Sequence, residues 1–138
     1  MQFDDVIINK IQSIQRCILR AKEEYQFAGK AFQDDFSRQD AAILNITRAC
    51  EQTIDLANYL IKKYKYSVPT SSRESFELLA QHKIISIPLC QKLQKMVGFR
   101  NIAIHEYQKL NSQIIIAIIE NGLEDLLDFT FEIKDKKL

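Results

Sequence analysis

Glycine and proline are nearly absent from this chain, with three Gly and two Pro in 138 residues. Few positions can supply a tight turn, which argues against many short strands and for a few long helices. An excess of one charge is also missing. The net charge is +1 with 27% charged residues, which excludes a strongly basic, sequence-indifferent nucleic-acid binder. If RNA is the ligand, positive charge has to be gathered locally. Cysteine is sparse: Cys17, Cys50 and Cys90 are odd in number, widely spaced and form no C-x-x-C, so they read as reduced, buried thiols. The longest apolar run, Ile114 to Ile119, is far short of a membrane span. Met1-Gln2-Phe3-Asp4-Asp5 lacks the basic start and apolar stretch of a signal peptide, so a soluble, cytoplasmic protein is expected.

What is present is a 46% hydrophobic chain, enough for the core of one all-α domain. The expectation is a single antiparallel bundle of four to five helices over 1–138, with its core at about 5–130 and a frayed tail at 132–138. A first helix runs from Asp4 or Asp5 to Gly29, striped by Ile7, Ile11, Ile14, Ile18, Ala21, Tyr25 and Ala28. A second runs from near Ser37 to Tyr64, striped by Ile43, Ile46, Cys50, Ile54, Ala57 and Ile61, with lysines at its negative end. Ser72 to Gln81 reads as a third. Ser86 and Pro88 suit the cap and first turn of a fourth, with Leu89, Leu93, Met96 and Val97 inside and a weak spot at Gly98. A last helix covers Asn111 to Phe131. It is apolar almost all round over Ile114–Ile119, which suits a central position or a second subunit.

The chemistry is concentrated in Arg100-Asn101-Ile102-Ala103-Ile104-His105-Glu106-Tyr107. A guanidinium that grips phosphate and an imidazole that moves protons are what metal-free RNA cleavage needs. On a regular helix Arg100 and Tyr107 are nearly eclipsed, while Arg100 and His105 diverge by about 140°. Two arrangements would bring both to one phosphate. Either the helix breaks near Gly98 or around Arg100, or a two-fold axis brings in the same segment of a second chain. In such a cleft Arg100 holds the scissile phosphate, and His105 is base toward the ribose 2′-OH, acid toward the leaving oxygen, or both through two copies. Asn101 orients the imidazole or contacts phosphate, and Tyr107 donates to RNA, stacks beneath a base or is modified. The product would be a 2′,3′-cyclic phosphate, and DNA would be spared.

This R-N-x-x-x-H-x-Y segment resembles the HEPN superfamily of all-helical ribonucleases. With Lys95-Met96-Val97-Gly98-Phe99 before it, Ser75-Phe76-Glu77-Leu78-Leu79-Ala80 in the third helix and Asp40 to Cys50 in the second, it is similar to the HepT toxin branch. The resemblance implies a homodimeric, metal-independent endoribonuclease toxin of the HepT/MntA, type VII toxin–antitoxin kind. Arg100 and His105 would be catalytic, with Asn101 and Tyr107 supporting. It further implies that an MntA-type nucleotidyltransferase antitoxin, using ATP and magnesium, transfers AMP to Tyr107. Cleavage itself would need no cofactor. The added charge and bulk would repel RNA.

Plainer readings exist for each residue. Arg100 can be a structural ion-pair residue, with Glu106 as the nearest candidate, His105 a buried imidazole bonded to backbone, and Tyr107 a core aromatic. His82 suits a helix end. Arg48 and Glu51 suit an ordinary helical pair. Asp40 and Asp55 are candidates to line the cleft and orient His105, and Lys92, Lys95, Arg100 and Lys109 to form a basic rim. No Glu-x-x-His pair or thiol cluster supports a metal site. The competing function is a non-catalytic helical partner that binds nucleotide or substrate for a nucleotidyltransferase.

Overall fold

The computed structural model describes residues 4–136. Six helices account for most of them, with no strand among the described residues: α1 Asp5–Ala28, α2 Phe36–Lys63, α3 Ser72–Gln81, α4 Ile87–His105, α5 Ser112–Ala117 and α6 Leu123–Lys134. Sequence-expected boundaries of the first three, and the start of the fourth, lie within one or two residues of these, and the reason is capping. Asp4, Ser71 and Ser86 each accept a hydrogen bond from a backbone N–H three residues on. Gly29 ends α1 at φ +57°, a conformation that favours glycine, and its N–H donates to the Tyr25 carbonyl.

A 3-10 segment, Gly29–Asp34, then tucks Phe32 into the core, edge-on to Tyr25 with ring centroids 5.2 Å apart. The Gln39 amide donates to the Phe32 carbonyl at 2.7 Å, which satisfies a buried turn. Asp35 caps α2 by accepting from the Arg38 N–H. α2 returns antiparallel to α1: Lys63 near its end bonds Asp4 at the start of α1, and Arg38 near its start bonds Glu24 near the end of α1. α2 packs against α1, α3, α4 and α6. That explains why its buried face is wider than one stripe, adding Ala42, Ala49, Thr53, Leu56 and Leu60.

α4 does not break at Gly98. Glycine weakens a helix interior by about 1 kcal/mol. Here it permits a close approach, because a Cβ at Gly98 would lie 3.3 Å from Arg73 Nη2 on α3. The last helix departs from expectation in the other direction. It is two helices joined by a π-helical turn, Ile118–Gly122, and it ends at Lys134 rather than Phe131. Residues 132–134 are therefore helical, and Ile133 is fully buried, while 137–138 lie outside the described residues. The wide turn has a spacing cause. Buried Ile115, Ile119 and Leu123 step by four, which drifts ahead of a 3.6-residue turn, and a turn that closes five residues on absorbs the drift. Gly122 leaves room there, since a Cβ would meet Met96 Sδ at 2.9 Å. Cys17, Cys50 and Cys90 are free and buried, as read from their spacing.

Candidate active site

α4 carries Arg100 inward and His105 outward. The Arg100 guanidinium lies between α2 and α3. Its Nη2 donates to Ser72 Oγ at 3.2 Å, and its Nε lies 3.3 Å from Glu51 Oε1. The Glu51 contact is a charge contact and not an aligned hydrogen bond, so the buried Nε has no acceptor. Three N–H groups of the five remain for an anion after Ser72 and the buried Nε are counted. The ion pair expected with Glu106 does not form. Glu106 takes Lys109 at 3.0 Å, because at Glu106 the chain has already left the helix (φ −139°, ψ 46°).

His105 is the last residue of α4 and is exposed, as is Asn101. No side-chain hydrogen bond among the described residues holds the imidazole. The buried-histidine reading is therefore wrong for this chain, and the Asn101 amide is free to meet a ligand. With α4 regular through Arg100, the roughly 140° divergence between guanidinium and imidazole stands. Within one chain the two side chains therefore leave α4 in different directions.

Tyr107 is not on α4. It opens a short 3-10 turn, Tyr107–Lys109, and its hydroxyl donates to the Asp40 carboxylate of α2. Burial, then the hydrogen bond to Asp40 and its charge, push the phenol up to about 12, so it is protonated at neutral pH. Half-exposed at 45%, it is no core aromatic. Asp40 and Glu51 are eleven residues apart and so share one face of α2, about 16 Å apart along its axis. That face tethers both ends of the motif. Beside it, burial pushes the Cys50 thiol up to about 12, which leaves no thiolate nucleophile here.

Several sequence candidates go elsewhere. Asp40 engages Tyr107 and not His105; Asp55 is exposed on α2 without a side-chain bond among the described residues. Glu51 serves Arg100 instead of pairing with Arg48. Of the proposed basic rim, Lys109 is paired with Glu106 at 3.0 Å, and Arg100 lies against Glu51. His82 stacks flat on Tyr66, ring centroids 3.6 Å apart, beyond the helix-end contact expected. Ser72 was not foreseen as an Arg100 ligand, and nothing local in the sequence marks it. No group of three or more His, Cys, Asp or Glu side chains gathers among the described residues, and no described helix is long and apolar enough to cross a membrane.

The profile of the family described as "Ribonuclease HepT-like" matches residues 14–133. The protein named mRNA nuclease HepT from Shewanella oneidensis is 47% identical over 131 residues, covering 95% of this chain and 98% of that one. Among solved structures, the tri-AMPylated Shewanella oneidensis HEPN toxin in complex with MNT antitoxin superposes with a TM-score of 0.90 at 46% identity, covering 97% of this chain and all of that one. A toxin–antitoxin crystal structure with AMP-PNP gives 0.88 at 45% identity, covering 95% and 99%. A cytosolic protein of unknown function from Bacillus subtilis, YutE, shares the fold alone, at 18% identity and a TM-score of 0.76. Profile, full-length relative and the polar end of α4 agree, and the chain belongs to the HepT-like ribonuclease family.

Proposed function

We propose that this chain is the toxin of a type VII toxin–antitoxin module, a homodimeric endoribonuclease of the prokaryotic cytoplasm that cleaves RNA without a metal. The reading rests on one observation above all: a braced guanidinium and an unengaged imidazole lie five residues apart on one unbroken helix, turned away from each other. A partner protomer related by a two-fold axis would present its His105 to the phosphate held by Arg100. His105 then takes the proton of the ribose 2′-OH as the 2′-oxygen bonds to phosphorus. The bond from phosphorus to the 5′-oxygen breaks, and that oxygen receives a proton from an imidazolium. Arg100 neutralises charge building on the equatorial oxygens, and Asn101 contacts phosphate or steadies the ring.

Regulation follows from Tyr107. The Shewanella oneidensis toxin is AMPylated in its complex with MNT antitoxin, and on that similarity AMP transfer to Tyr107 by an MntA-type nucleotidyltransferase, with its ATP and magnesium, silences this chain. An esterified phenol oxygen has no proton to give Asp40, and the new phosphate would face that carboxylate. Modification therefore breaks the Tyr107–Asp40 tether and places negative charge where RNA must approach.

The test is RNA cleavage by purified protein in EDTA. Arg100→Ala and His105→Ala should each lose at least about 100-fold in kcat while keeping the helical circular dichroism of the parent. Parent-like cleavage by both variants would overturn the catalytic assignment. Mass spectrometry after incubation with the cognate nucleotidyltransferase and ATP should find AMP on Tyr107; AMP on another residue would overturn the regulatory part.

A further inference from the structure

A second cluster of cations lies outside the motif. Arg16 and Arg20, one turn apart on α1, and Arg48 on α2 line a cleft of about 410 Å³ between the two helices. Ser13, Asn45 and Gln52 add a hydroxyl and two amides to its walls, and none of Arg100, Asn101, His105 or Tyr107 does so. All three arginines are exposed.

The cluster is left charged by the way its neighbours pair. Glu24 stands four residues after Arg20 and also lines the cleft, and Glu51 stands three after Arg48, so each is placed to neutralise its arginine. Neither does. Glu24 accepts from Arg38 at 2.7 Å, and Glu51 lies against Arg100. Among the described residues Arg16, Arg20 and Arg48 have no ion pair or side-chain hydrogen bond. Arg16 and Arg20 are also a like-charge pair at the spacing where such pairs destabilise a helix. In a chain of net charge +1, this is a local concentration with a cost in the free protein.

Its position gives it a use. On α2 the cleft residues Ala41, Asn45, Arg48 and Gln52 form the stripe next to the one that carries Asp40 and Glu51. The cleft therefore runs beside the face that tethers Tyr107 and Arg100. We propose that Arg16, Arg20 and Arg48 form a phosphate track that holds the backbone of single-stranded RNA substrate flanking the cut. Guanidinium forks match phosphate oxygens two at a time, while Ser13, Asn45 and Gln52 suit sugar and phosphate and carry no base code. This rests on the ribonuclease reading and adds to it where the strand lies.

The test uses a fully 2′-O-methylated single-stranded RNA, which binds without being cut, and fluorescence anisotropy over a salt series. The triple variant Arg16→Gln/Arg20→Gln/Arg48→Gln should bind at least about tenfold more weakly. Its slope of log affinity against log salt should be shallower by about two, as expected for three lost single-strand phosphate contacts. The matching Arg→Lys triple variant should keep the parent's slope. The Gln variant should melt at or above the parent's temperature, because like-charge crowding is relieved; a lower melting temperature marks the arginines as structural and overturns the assignment. Unchanged affinity and slope also overturn it, as does a loss of nucleotidyltransferase binding with RNA binding intact, which would make the cleft a protein-docking surface. A parent that cuts RNA while the Gln variant binds normally sinks the track alone; a parent that neither binds nor cuts RNA sinks both readings.

Discussion

At the start of α1 one carboxylate is saturated. Asp4 accepts from the Ile7 N–H at 2.9 Å, Tyr59 hydroxyl at 2.5 Å and Lys63 ammonium at 2.8 Å. At the end of α4 the opposite holds. Arg100 keeps N–H groups in reserve, His105 has no side-chain bond among the described residues, and Asn101 is exposed. Both regions are polar and both hang on α2, but the first has its polar groups matched to each other and the second has them waiting for something else. Matching locks one geometry and stabilises; incompleteness leaves a ligand or a second protomer to finish the site.

The sharpest way to break this contrast is to mix inactive variants. If each site takes Arg100 from one protomer and His105 from its partner, equal amounts of Arg100→Ala and His105→Ala, exchanged into mixed dimers, should regain about a quarter of parental activity from nothing. No recovery, with mixed dimers shown by native mass spectrometry, would return both groups to one chain. Glu51→Gln comes next. It frees Arg100 to swing, and misplacement of a catalytic group by an ångström costs on the order of 10- to 100-fold in kcat. Glu51 is 41% exposed, so the lost pair should cost at most about 1 kcal/mol, read from denaturant midpoints.

The matched cluster should show the reverse profile. Asp4→Ala removes a helix cap and should cost about 1 kcal/mol in stability with cleavage unchanged. Lys63, then Tyr59, hold the Asp4 carboxyl well below the usual carboxylate range. A depressed folded pKa stabilises fully above the unfolded value of about 4, and the contribution fades as pH falls through the folded one. Melts at pH 7 and pH 3 should therefore find the gap between parent and Asp4→Asn narrowing in acid. The smallest effect belongs to Asp40→Asn. Loss of the carboxylate should lower the Tyr107 titration seen by site-specific NMR without restoring the ordinary value, since burial is the larger cause, and stability should shift by less than about 1 kcal/mol.

Much of this was legible in the sequence because it is local. Asp4 and Ser86 mark the starts of the first and fourth helices, and the stripes of α1 and α2 fix which sides are buried. The spacing of Arg100 and His105 already placed them on different faces, and α4 runs unbroken through both, without the break near Gly98 or Arg100 that was one of the two arrangements. The partners were not legible because they are distant in sequence. Arg100 chooses Glu51 and Ser72 over the nearby Glu106, and Tyr107 reaches back to Asp40. The split of the last helix was hidden for another reason: Ile114–Ile119 is so uniformly apolar that it carries no periodicity to read.

The π-helical turn at Ile118–Gly122 has a consequence for how this chain tolerates length changes. It holds one residue more than a regular turn would, so it works as a phase adjuster between α5 and α6. Deleting a single residue there lets the backbone relax to ordinary winding with Leu126, Phe129 and Ile133 still facing inward. The same deletion in the middle of α2 rotates everything beyond it by about 100° and turns Leu56 and Leu60 toward water.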